Sequence, residues 1–181
     1  MLFRSKKYSV ELEVLSSLTN VPGTIVKEAT RMEKMMISGV AKDTNVARIS
    51  VIGVPDEPGT AFKLFSRLSA KDINVDIILQ SVGRDGTKDI TFTVAAGYLK
   101  DALAILDDTF GDAQVIYDED VAKVSIVGAG METHAGVASK MFEALYSAQI
   151  NIQMIATSEI KVSVLIVRED ADRAVRAIHN A

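Results

Sequence analysis

Val46-Ala47-Arg48-Ile49-Ser50-Val51-Ile52-Gly53 and Val121-Ala122-Lys123-Val124-Ser125-Ile126-Val127-Gly128 are one pattern written twice. Each alternates polar and apolar positions and ends on glycine, which predicts a strand with one buried face. The second copy lies 75 positions on (46 to 121). Past the glycine it carries two extra residues, and the offset becomes 77 (59 to 136). An internal repeat of this length decides how the rest of the chain is read.

Outward from the quoted strands the match continues. Ala61, Leu64, Phe65 and Leu68 form a helical stripe at i, i+3, i+4, i+7, and Ala138, Met141, Phe142 and Leu145 form the same one. Ile73-Asn74-Val75-Asp76-Ile77-Ile78 matches Ile150-Asn151-Ile152-Gln153-Met154-Ile155, β-branched runs that predict strands. A third strand alternates through Ile90, Phe92 and Val94, and its partner through Ile160, Val162, Val164 and Ile166. A second helix follows in each copy, with stripes Leu99, Ala102, Leu103, Leu106 and Ala171, Ala174, Val175, Ile178.

The first copy continues into a fourth strand, Ala113 to Tyr117, whereas the sequence stops at Ala181 just after the last helix. A three-stranded sheet would leave an edge bare. Met35-Met36-Ile37-Ser38-Gly39-Val40 is a spare strand upstream. The expected architecture is therefore α+β: two ferredoxin-like βαββαβ units, the first inserted within the second. The expected boundaries are 46–118 for the first unit and 34–42 plus 120–181 for the second. Residues 1–30 fall outside the repeat. There Tyr8, Val10, Leu12 and Val14 alternate before a turn at Thr19-Asn20-Val21-Pro22-Gly23, like the tail of another domain.

Composition narrows the function classes. The chain has 181 residues, 48% hydrophobic and 24% charged, with a net charge of −4. That is ordinary globular material, and a mild acidic excess argues against a nucleic-acid partner, because phosphate contacts need clustered Lys and Arg. Cysteine is absent, which removes disulfides, thiolate metal sites and cysteine nucleophiles and fits a cytoplasmic setting. No apolar run reaches the roughly 18 residues of a membrane helix.

Tests for chemistry come back mostly empty. Gly128-Ala129-Gly130 opens like a dinucleotide fingerprint, but Thr133 stands where the third glycine belongs. His134 and His179 have no motif-spaced partners, and the Asp107-Asp108 and Asp118-Glu119-Asp120 clusters fall at expected turns. We assign no catalytic residue, no metal ligand and no cofactor. One constellation remains, Pro55-Asp56-Glu57-Pro58-Gly59-Thr60-Ala61, where a strand passes into a helix. Free N–H groups at the helix start would accept an amino acid's α-carboxylate, and Gly59 lets a ligand approach the backbone. Asp56 could pair with the α-ammonium, accept from a side-chain hydroxyl, or simply cap the helix. Pro58 suits the first helical turn. Along the next strand Asn74, Asp76 and Gln80 are spaced to share one face, and the second copy repeats this with Asn151 and Gln153.

These stretches resemble a known family. Val51-Ile52-Gly53-Val54-Pro55-Asp56-Glu57-Pro58-Gly59 resembles the opening of an ACT domain. Lys123 to Met131, and Asn151-Ile152-Gln153-Met154-Ile155-Ala156-Thr157-Ser158-Glu159-Ile160-Lys161-Val162-Ser163-Val164, resemble the second ACT domain of aspartokinases. Ser16 to Thr24 resembles the exit of the aspartokinase catalytic domain.

The resemblance implies a regulatory module, like the separately made small subunit of these kinases. It would bind L-threonine, L-lysine or both, dimerise through its ACT sheets, and act on an aspartokinase catalytic subunit or domain. The kinase's Lys-Phe-Gly-Gly-type motif is not found, so no phosphoryl transfer is expected from this chain alone. The effector residues carried over are Asp56, Gly59, Ala61, Asn74, Asp76 and Gln80 from the first unit, with Val137, Ala138, Asn151 and Ile152 from the facing second unit. No aspartate matches Asp56 in the second copy, so its two pseudo-equivalent sites should differ. The rival reading is a dimerisation scaffold indifferent to amino acids.

Overall fold

Ala47, Ile49 and Val51 are fully buried while Arg48, Ser50 and Ile52 between them are not, the alternation that a one-sided strand requires. The structure, a computed structural model, describes residues 39–83, 85–111, 113–128 and 136–181, with the backbone of Leu12–Val14 and Thr24–Val26. Those two segments, β1 (Leu12–Val14) and β2 (Thr24–Val26), form a short antiparallel ladder. Then come β3 (Gly39–Asp43), β4 (Ala47–Pro55), α1 (Thr60–Ser69), β5 (Val75–Gln80), β6 (Thr87–Val94), α2 (Leu99–Phe110) and β7 (Gln114–Asp118). The second half holds β8 (Val121–Val127), α3 (Val137–Ser147), β9 (Met154–Thr157), β10 (Lys161–Val167) and α4 (Ala171–His179).

Two four-stranded antiparallel sheets result, in the orders β5-β6-β4-β7 and β3-β8-β10-β9. Each packs one face on its own pair of helices. In the first unit Ile49, Val51, Ile90 and Phe92 meet Leu64 and Leu68 of α1 and Leu106 of α2. Phe92 also lies edge-on to Phe65, ring centroids 5.6 Å apart. In the second, Val124, Ile126 and Val164 meet Met141, Leu145 and Ile178. The helix ends repeat as well. Asp72 and Gln149, 77 positions apart, are both left-handed (φ 55°). Just beyond them Ile73 N–H donates to Leu68 O and Ile150 N–H to Leu145 O, the longer bond of a Schellman closure.

The expected insertion is present: β3 pairs with β8, Gly39 opposite Val127 and Asp43 opposite Lys123. The chain crosses between sheets through one turn used twice. Asn45 N–H donates to Asp43 Oδ1, and 75 positions on Asp120 N–H donates to Asp118 Oδ1, both at 2.9 Å. The first such turn leads from β3 in one sheet to β4 in the other; the second leads from β7 back to β8. Residues 35–38 of the expected upstream strand lie outside the described residues.

Three expectations need correction. Pro58 is not in the first helical turn, because α1 begins at Thr60 with Gly59 as its cap residue. Asp56 does not cap the helix; no side chain does. Asn74, Asp76 and Gln80 do not share one face. Between Val75 and Ile78 the ladder shifts by one residue, and such a bulge breaks the two-residue period. Gln80 lies opposite Ile90 and so on the helix side, whereas Asp76 turns to the other side and pairs with the second unit.

Candidate effector-binding site

The site forms where β4 ends. From Val51 to Val54 the strand advances three residues while its partner advances two, from Ile90 to Lys88. Gly53 sits in this bulge at φ 73° and donates its N–H to Asp89 Oδ1 at 2.9 Å. A positive φ there favours glycine. The extra residue returns Val54 to the buried face and sets Lys88 opposite it.

Lys88 is in register with Ile90 and Phe92, so it projects to the helix side, and its side chain is only 9% exposed. Its ammonium meets Asp56 Oδ1 at 3.1 Å. Asp56 is held on two further sides. Its N–H donates to Gly86 O at 2.9 Å. A Cβ at Gly83 would stand 2.0 Å from Asp56 Oδ2. The carboxylate nevertheless stays 44% exposed.

Beside it, Gly59 takes φ 99°, and Thr60 Oγ1 donates to Pro55 O at 2.9 Å, closing the loop. The first-turn N–H groups of α1 have no side-chain cap, so the helix start offers donors and a partial positive charge. A cleft of about 620 Å³ opens alongside, lined by Gly53, Pro55, Gly59, Lys63 and Phe110. Ala61 is half-buried in the first turn, and Gln80 is exposed at the end of β5 on the same sheet face as Lys88. The structure thus gathers Asp56, Gly59, Ala61 and Gln80 at one end of the first unit.

Asn74 and Asp76 lie at the other end of β5. They line a smaller cavity of about 230 Å³ between the units, with Asp43, Asn45, Tyr98 and Lys123. Here Lys123 pairs with Asp76 and, at 3.3 Å, with Asp43; Lys161 approaches Asp76 at 3.8 Å. The hydrogen bond from Lys123, with the charges of Lys123 and Lys161, holds Asp76 below the usual carboxylate range despite partial burial. Burial pulls Lys123 down, but its bonds to Asp76 and Asp43 outweigh that, and its pKa is raised. Val46, Ile77, Val121, Met154 and Leu165 form an apolar cluster at this same seam.

In the second unit Val137 is buried in the core, so it has its backbone to offer a ligand. Ala138 and Ile152 are half-buried and Asn151 is exposed. Among the described residues no hydrogen bond or ion pair joins these four to Asp56 or Gln80. His134 lies outside the described residues; His179 is exposed at the end of α4. Among the described residues no group of acidic or histidine side chains is placed to hold a metal ion, and no helix is long and apolar enough to cross a membrane.

The ACT domain model matches residues 49–110 and 124–181, one stretch in each of the two units just described. The regulatory subunit of aspartate kinase from Thermus thermophilus, solved in a ligand-free form, superposes with a TM-score of 0.76 at 42% identity, covering 81% of this chain and 98% of that one. This chain belongs to the aspartokinase ACT-domain family. A crystal structure of aspartokinase alpha and beta subunits gives a TM-score of 0.72 at 47% identity, over 80% of this chain and 97% of that one. The aspartokinase of Pseudomonas aeruginosa is 50% identical over 181 residues, 97% of this chain but 44% of that protein. That of Helicobacter pylori is 45% identical over 97% of this chain and 45% of its own length. The chain thus spans less than half the length of these curated relatives, and the part it matches is regulatory.

Sequence reasoning missed two residues that shape the ACT units. Lys88 was legible as a lysine in the buried register of an alternating strand. Lys123 was quoted as a polar position, but nothing local showed that the other unit would cover it.

Proposed function

We propose that this chain senses end-product amino acids for an aspartokinase. It binds L-threonine, L-lysine or both, and feedback-inhibits phosphorylation of L-aspartate by ATP on the route to lysine, threonine and methionine. The observation that carries the reading is the half-exposed carboxylate of Asp56 beside the uncapped start of α1. An α-ammonium fits the first and an α-carboxylate the second. Gln80 on the same face adds a polar contact suited to a hydroxyl, which favours threonine.

The remaining contacts come from a second copy. Asn151, Ile152, Val137 and Ala138 have no link to Asp56 within one chain, so a homodimer supplies them across the strand edges. Exposed Ile78 on edge strand β5 and Ile155 on edge strand β9 support such pairing. Asn74 and Asp76 then act at the inter-unit seam beside the effector strand. The sequence of residues 1–30 resembles the tail of the kinase's catalytic domain, and the partner is the kinase's catalytic subunit or domain. A ligand biases such a partner only by binding one quaternary state better than another. A hundredfold preference corresponds to about 2.7 kcal/mol of coupling.

Binding by Asp56→Ala and Gln80→Ala tests the assignment. Each variant is expected to stay folded and to bind the effector at least about tenfold more weakly. Wild-type affinity in both would remove the site. The exposed strand edges also favour the scaffold reading, which calls for a dimer that ignores amino acids.

A further inference from the structure

Lys88 is a cation built into the site on the far side of Asp56. Its stem lies in the core register of β6, its ammonium is 3.1 Å from Asp56 Oδ1, and it is more than nine-tenths buried. The register sets it diagonally from Gln80, two residues along β6 from the Ile90 that faces Gln80. Three charges therefore converge: the Asp56 carboxylate, the Lys88 ammonium and the partial positive charge at the start of α1. Asp56 is already ion-paired from within, and Gly83 lies so close that a Cβ there would stand 2.0 Å from its Oδ2.

We infer that Lys88 is a specificity-determining residue of this site, one that admits amine-bearing ligands only when they carry their own carboxylate. The inference rests on the effector reading above. A ligand ammonium reaching the exposed side of Asp56 puts two cations on one carboxylate, next to a positive helix end. Like charges at such separations in a partly buried site repel strongly. A carboxylate on the same ligand, lying toward the start of α1, restores the balance. An amine without a carboxylate cannot. Lys88 touches the ligand's choice of partner through Asp56, so it acts as a positioning and selecting group and not as a replacement for Asp56.

The test compares two probes on the full chain by calorimetry: L-threonine and L-threonine amide, with L-lysine and L-lysine amide in parallel. Wild type is expected to prefer the acid over the amide by about a hundredfold. Lys88→Met, which keeps the stem and removes the charge, is expected to cut that preference at least about tenfold by tightening amide binding. Lys88→Arg, which keeps the charge, is expected to retain it. If Lys88→Met does not fold, Lys88→Gln is read the same way. An unchanged acid-to-amide ratio in the neutral variant, with wild type still binding threonine or lysine, overturns the role of Lys88 alone. No binding of either amino acid by wild type overturns the effector reading, and this inference with it.

Discussion

Lys123 of the second unit is ion-paired to Asp76 of the first, and this pair crosses the seam where the two sheets meet. The pseudo-symmetry of the repeat isolates it. Arg48–Asp118 and Lys123–Asp43 are the same β-ladder pair 75 positions apart, at 3.4 and 3.3 Å. Asp76 is the addition on one side; its counterpart at 77 positions is Gln153, whose buried Oε1 has no hydrogen-bond partner among the described residues.

The pair makes stability depend on pH at both extremes. Asp76 has a folded pKa below its unfolded value of about 3.9. Its contribution is therefore present above that value and lost as pH falls through the folded one. Lys123 has a folded pKa above its unfolded value of about 10.4. Its contribution is present below that value and lost as pH rises through the folded one. Asp76→Asn should cost on the order of 1 kcal/mol or less at neutral pH, since the carboxylate is partly exposed. It should also flatten the acid limb. Urea unfolding from pH 7 to 3 checks this, and superimposable profiles would refute it.

Ser125 Oγ and Ser163 Oγ lie 2.8 Å apart and are buried at 5% and 0% exposure on the face of the second sheet away from its helices. Ser163→Ala strands the Ser125 hydroxyl and should cost about 1–3 kcal/mol. The double alanine variant should cost clearly less than the sum of the singles. Additive costs would mean the two hydroxyls do not depend on each other.

Gly59 and Gly136 occupy the same helix-start position with φ 99° and 100°. Neither has a neighbour among the described residues within 4 Å of a would-be Cβ, so alanine meets backbone strain. Each change to alanine should cost about 1–2 kcal/mol. Gly59→Ala should weaken effector binding more than Gly136→Ala, because Asp56 stands beside Gly59 and has no counterpart in the second unit. Equal losses of affinity would contradict the asymmetry.

Phe92 is fully buried at the centre of the first core. Phe92→Ala should cost about 3–5 kcal/mol in chemical denaturation. A loss under about 1 kcal/mol would mean this core does not hold the first unit together.

The repeat made most of this fold readable. Two quoted strands, two helical stripes and one missing edge led to both units and to the insertion, because those features are periodic and local. The departures are single-residue events. The bulges at Ile52–Gly53 and Asp76–Ile77 leave composition unchanged yet turn Asp76 away from Gln80 and aim Lys88 at Asp56. The choice between capping and ligand pairing for Asp56 was open in sequence. The structure removes capping, since Gly59 begins the helix without a side-chain cap, and ligand pairing stands as our proposal. The seam was hidden for another reason: its members lie on strands whose second face reads as wet until the other unit covers it.

The central claim is that this chain recognises an amino acid through Asp56. Calorimetric titration of the wild-type chain with L-threonine and with L-lysine, the dimer followed by light scattering, tests it most directly. Saturable binding of at least one of them is expected, abolished or strongly weakened by Asp56→Ala. An intact dimer that gives no binding heat with either amino acid would contradict it and leave a scaffold.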